Sequence, residues 1–192
     1  MNQTENLEEI WSKYSSLFVK AFGDSEGVSD FLDVLGERIV MCPGAHKADM
    51  KYCEPGGLMK MSIDTAITMK KIAESLSLNV ESASILRVAL SHELGKIGSL
   101  EEPYFLDQDS DWHREKLGAH YKFNEKLERT PVSHMSCFLL NTFGLKLNWE
   151  ETRALMTSGG PGREENKPYG YTNSPLQSLV QAAKLFTVNI SS

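Results

Sequence analysis

Ser91-His92-Glu93-Leu94-Gly95-Lys96-Ile97-Gly98 closes an apolar stretch that begins at Val80. Val80 to Leu94 is apolar on most faces, which predicts a central buried helix. His92 and Glu93 stand at its end, and Gly95 supplies a stop. Imidazole beside a carboxylate at such a boundary suits a divalent metal. The same pair also reads as a hydrogen-bonded helix end kept for packing. Lys96 reads either as a cation favouring the helix C-terminus or as a phosphate contact.

Outward from this stretch the chain keeps a helical period. Leu7, Ile10, Trp11, Tyr14, Phe18, Ala21 and Phe22 predict an amphipathic first helix, and Val28 to Val40 a second. Met41 to Gly57 is a loop rich in Pro, Gly and charge, with His46, Lys47, Asp49 and Lys51 in it. Leu58 to Leu76 predicts a third helix. Ser99 to Arg129 is longer than an ordinary connection, is charged and aromatic, and holds a predicted helix within Trp112 to Leu127. Thr130-Pro131 starts the next helix, with Thr130 as N-cap and Pro131 at the first helical position. His134, Cys137 and Phe138 share one face of it. Asn148 opens another helix, which ends near Ser158-Gly159-Gly160-Pro161-Gly162. Arg163 to Asn173 is a polar loop, and Ser174-Pro175 starts the last helix. No segment alternates as a strand should. The expectation is all-α, with a small ribbon at most in the 160–173 loop.

The 192 residues suit one domain, with helices of 1–40 packing on a domain of 41–192. Hydrophobic residues make up 41% and charged residues 24%, ordinary for a water-soluble globule. The net charge of -6 argues against a general grip on nucleic acid, though not against a local basic pocket. Cys42, Cys53 and Cys137 are scattered and form no CxxC pair, which fits reduced cytoplasmic thiols. Met1 to Glu9 is polar and acidic, unlike a signal peptide. No apolar run nears the ~20 residues of a membrane span. Asp107, Asp109 and Asp111 alternate as in a calcium loop, but the required Gly and distal Glu are missing.

The Ser91–Gly98 stretch resembles the signature of the HD-domain superfamily of metal-dependent phosphohydrolases: His-Asp, an apolar residue, Gly and Lys. The resemblance runs from about Cys42 to Phe186 and includes Pro55-Gly56-Gly57-Leu58, Glu101-Glu102-Pro103-Tyr104, the stretch Trp112 to Gly118, and Ala182-Ala183. It implies a single HD-domain helical bundle of the short stand-alone kind common in phages and bacteria. It also implies six metal-binding positions. Only His92 and His134 match the family there. Glu93 replaces an Asp, Met61 and Ser158 stand where the family has His, and Lys184 stands where it has Asp. A thioether is a soft ligand, and Lys184 brings a positive charge to a cation's place. At ~4 Å and an effective dielectric of ~20, that repulsion is on the order of 8 kcal/mol.

The expectation is therefore a degenerate HD protein with no cofactor and no confident catalytic residue. It binds a nucleotide or other phosphate-bearing small molecule with little or no hydrolysis and, if phage-encoded, sequesters it in the host cytoplasm. Lys184 stands in for part of the metal's charge without activating a water. Ligand contacts are expected from Lys96, His113, Arg114, His134, Arg163, Lys167, Tyr169 and Lys184, since Arg matches phosphate by its forked donors and Tyr stacks on a base. The runner-up is a metal-dependent phosphohydrolase holding Mg, Mn or Fe through His92, Glu93 and His134. A third reading is a protein-interaction module whose contact surface is 99–130.

Overall fold

The computed structural model describes residues 3–169 and 174–189, and it is mostly helical. Helix α1 (Gln3–Phe22) and α2 (Glu26–Met41) pair through an aromatic ladder. Tyr14 stacks on Phe18, and Phe18 on Phe31 with ring centroids 4.8 Å apart. Tyr14, Phe18, Phe31, Leu35 and Ile39 are fully buried, at the spacing that puts one stripe of each helix inward. They share a core with Leu58, Leu90, Leu94 and Leu139, so α1 and α2 are built into the same interior as the segments that hold those four leucines.

Helix α3 (Gly57–Ser75) begins where the chain must pass very close to itself. Gly56 takes a left-handed φ of +78°, and a Cβ on Gly57 would lie 2.0 Å from the Tyr52 carbonyl oxygen. Only glycine meets the first demand without strain and the second at all. Helix α4 (Ser82–Ser91) is the central rod, with Ile85, Val88, Ala89 and Leu90 buried. It packs between α3 and α1, and against α7 and α8. The helix stops at Ser91, and Leu94–Ile97 forms a single 3-10 turn. Gly95 does not act as a stop. Its role is clearance: a Cβ there would lie 2.2 Å from the Val132 carbonyl oxygen, and its N–H donates to Ser136 Oγ at 2.8 Å. The left-handed residue that ends the turn is Gly98.

The 99–130 segment departs most from expectation. Its helix, α5 (Asp111–Leu117), is much shorter than 112–127 and ends at left-handed Gly118. Beyond it Tyr121–Phe123 (β2) pairs antiparallel with Phe105–Asp107 (β1). The ribbon thus lies here, where aromatic side chains meet across the strands, with Tyr104 edge-on to Phe123. The described part of the 160–173 loop instead forms a 3-10 turn, Glu164–Tyr169. The ribbon region is tied to the 41–57 loop, since Ala48 N–H donates to the Gly118 carbonyl and His120 N–H to that of His46.

Helix α6 (Val132–Thr142) has Pro131, not Thr130, as its N-cap. Helices α7 (Trp149–Met156) and α8 (Pro175–Lys184) both start with capping boxes, Asn148 with Glu151 and Ser174 with Gln177. Glu151 is fully buried and satisfied by Ser84 Oγ at 2.7 Å, Arg87 at 2.8 Å and the Asn148 N–H at 2.9 Å, locking α7 to α4. No helix among the described residues is long and apolar enough to cross a membrane.

Candidate functional site

The end of α4 delivers His92 and Glu93 into the interior, 1% and 8% exposed. The His92 N–H closes the helix on Val88, and its Nδ1 lies 2.8 Å from the Ala89 carbonyl oxygen. Nε2 is buried with no hydrogen-bond partner. Burial pushes the His92 pKa down to about 4, helped by Lys184 and Lys96 and opposed by Glu93 and the Ala89 carbonyl. The ring is therefore neutral at physiological pH.

Glu93 is gripped from two sides. Its Oε2 is 2.8 Å from Lys96 Nζ, and its Oε1 pairs with Lys184 Nζ at the end of α8. Burial alone would raise the pKa of this carboxyl, but Lys96, Lys184 and His92 together hold it below the usual carboxylate range. Lys96 Nζ also donates to the Gly44 carbonyl at 2.6 Å, fastening the 41–57 loop to the site. Beneath lies the Cys42 thiol, which burial pushes up to about 12 against the pull of Lys96. It is an inert packing group.

His92, Glu93, Lys96 and Lys184 line a cavity of about 770 Å³. Its described lining carries four cations, Lys51, Lys96, Arg163 and Lys184, against the single carboxylate of Glu93. The Gly159–Gly162 turn forms part of the wall and presents Arg163, pinned by Asn166 Nδ2 donating to the Gly160 carbonyl at 2.9 Å. Met50, Met156, Leu185 and Val188 make an apolar portion of the lining.

Of the positions expected from sequence, the structure brings Met61, His92, Glu93, Ser158 and Lys184 into this one cavity, with Lys96 and Arg163. His134 is not in its lining. It shares the α6 face of Phe138, which is 55% exposed, whereas α6 buries Ser136, Leu139 and Leu140. His113 and Arg114 are exposed on α5, where His113 Nδ1 lies 2.8 Å from Ser110 Oγ and Arg114 engages Asp111 and the Gln108 carbonyl. Lys167 is exposed and paired with Glu164. The side chain of Tyr169 and all of Tyr171 lie outside the described residues. Lys51 and Tyr104 enter the lining without having been singled out for it. The concentration of charge in the 41–57 loop was the available signal for Lys51. Among the described residues no group of three or more His, Cys, Asp or Glu is gathered as a metal site. Comparison with family models, with curated proteins and with solved structures gave no match.

Proposed function

We propose that this chain is a degenerate HD-type protein whose cavity binds a phosphate-bearing small molecule, such as a nucleotide, with little or no hydrolysis, so that it acts by holding its ligand. The observation that carries this reading is the reversal of charge. A protein of net charge -6 lines its cavity with four cations and one carboxylate. Such a concave, low-dielectric wall of one sign concentrates anions. Arg163 offers forked donors for phosphate oxygens, and Lys96 and Lys184 offer point charges. Convergence in one cavity of five positions that correspond to the family's metal-binding positions, though only His92 keeps the family's residue, supports the HD-type reading. The volume lies in the ordinary range for small-molecule sites.

The residues present do not fit a hard divalent ion. Both Glu93 oxygens already face ammonium groups, Lys184 places a cation at the site, and Met61 and Ser158 are weak partners for such an ion. The competing reading, a phosphohydrolase with an altered site, draws on one observation, the open Nε2 lone pair of His92.

Extraction of the purified protein, with elemental analysis beside it, decides between them. The expected result is a co-purified phosphate compound, sub-stoichiometric Mg, Mn, Fe and Ni, and background turnover of nucleotides with added manganese. One tightly held ion per chain, with turnover that vanishes in His92→Ala, would establish the enzyme instead.

A further inference from the structure

A single bond orients the ring of His92. A carbonyl oxygen only accepts, so the 2.8 Å contact with Ala89 assigns the ring hydrogen to Nδ1. The neutral ring then keeps its lone pair on Nε2, which is buried and unpartnered. A buried acceptor without a donor is costly. Ser62 Oγ and Ser91 Oγ share this condition, but neither lines the cavity, whereas His92 does. The nearby ammonium groups are already engaged, Lys184 by Glu93, and Lys96 by Glu93 and the Gly44 carbonyl. The cavity lining thus supplies cations for an anion and the Glu93 carboxylate, and His92, one of the lining residues, carries a buried acceptor that has no donor of its own.

We propose that His92 Nε2 accepts a hydrogen bond from a hydroxyl of the bound phosphate group itself, so that the site selects a protonated phosphate over a fully deprotonated tetrahedral anion. The inference rests on the reading that the cavity holds phosphate. Sulfate offers only acceptor oxygens at neutral pH. It pairs with the lysines but sets oxygen against Nε2 and against Glu93. Inorganic phosphate has the same shape and keeps at least one O–H at neutral pH. It turns that hydroxyl to Nε2 and its remaining oxygens to Lys96, Lys184 and Arg163. A phosphate monoester retains one hydroxyl below its second ionisation near ~6. Diesters and sulfate esters have none.

The test is calorimetric titration of the full chain with inorganic phosphate and with sulfate at matched ionic strength, together with nitrogen NMR of the His92 ring. Phosphate is expected to bind about tenfold tighter than sulfate, the factor that ~1.4 kcal/mol supplies. The Nε2 resonance should move upfield with phosphate and stay in place with sulfate. His92→Phe, which keeps a ring of similar bulk but removes the lone pair, should reduce the preference to about twofold or less. Equal affinity for the two anions in the unaltered protein overturns the role of His92 and leaves the anion site standing. Binding of neither anion overturns both. If His92→Phe does not fold, an Nε2 resonance unmoved by saturating phosphate is enough to reject the inference.

Discussion

Lys184 and Glu93 form an ion pair across 91 positions of sequence, joining the end of α8 to the end of α4. The contact gives a partly buried lysine its counter-charge. It also gives that lysine a partner that any incoming anion must share.

Lys184→Ala removes one of the cations a phosphate would meet. Affinity for inorganic phosphate should fall by about 1.5–3 kcal/mol, the range for a hydrogen bond to a charged group. Glu93 keeps Lys96 as its partner, so the fold should survive with a small loss of stability. Calorimetry reads the first effect and urea denaturation the second. Unchanged phosphate affinity would remove Lys184 from the site.

If the HD-type reading holds, Met61→His, Glu93→Asp, Ser158→His and Lys184→Asp together should create uptake of a divalent ion. These four positions and His92 already line one cavity. His134 lies outside that lining, so the rebuilt site is expected to work without it, and adding His134→Ala should leave uptake unchanged. Titration with manganese checks both. A folded quadruple variant that takes up no metal would mean the donors do not point to a common centre.

Acid should destabilise the protein before ordinary carboxylates protonate. In the folded chain the pKa of His92 is pushed down to about 4 by burial. In the unfolded chain it returns to ~6.5, so between these values the unfolded state binds the extra proton. Stability is therefore full above pH ~6.5 and falls by about 3 kcal/mol as the pH drops to ~4. Glu93, whose pKa is depressed, adds its own loss only below ~4.3. Urea midpoints across this range should slope in the unaltered protein and flatten in His92→Phe.

Glu151→Ala should cost about 3 kcal/mol, because it leaves Arg87 with only the Ala21 carbonyl and empties a buried acceptor shared by Ser84 and the Asn148 N–H. Chemical denaturation measures it. A loss under ~1 kcal/mol would mean that α7 is held by apolar packing alone.

Hydrogen exchange should slow in 99–130 when phosphate ligand is added. Tyr104 lines the cavity, and the segment is hydrogen-bonded to the 41–57 loop that supplies Lys51. Protection confined to α4 and α8 would count against coupling of this segment to the cavity.

The helices were legible because their apolar period is long and their caps are explicit. Asn148, Ser174-Pro175 and the stripe of α2 are examples. The 99–130 segment was not, because Tyr121-Lys122-Phe123 owes its strand form to pairing with Phe105-Leu106-Asp107. Tertiary pairing of this kind leaves little local signal. The same holds for the site. The His92-Glu93-Lys96 cluster is contiguous and could be read directly, whereas the arrival of Lys51 depends on how a loop folds back. His134 shows the opposite failure. Its helix was visible, but the direction of its face is set by the burial of Leu139 and Leu140.

Glu93 sets its one carboxylate between two ammonium groups of the cavity wall. Unpaired ammonium groups in an interior are expensive. Lys96 and Lys184 share the one carboxylate of Glu93, so the chain offsets part of their charge while the described cavity wall stays net positive. A ligand that binds the folded chain adds stability by mass action, as RT ln(1 + [L]/Kd). On the proposed reading, in which the chain acts by holding its ligand, the capacity of such a protein is set by the number of its copies.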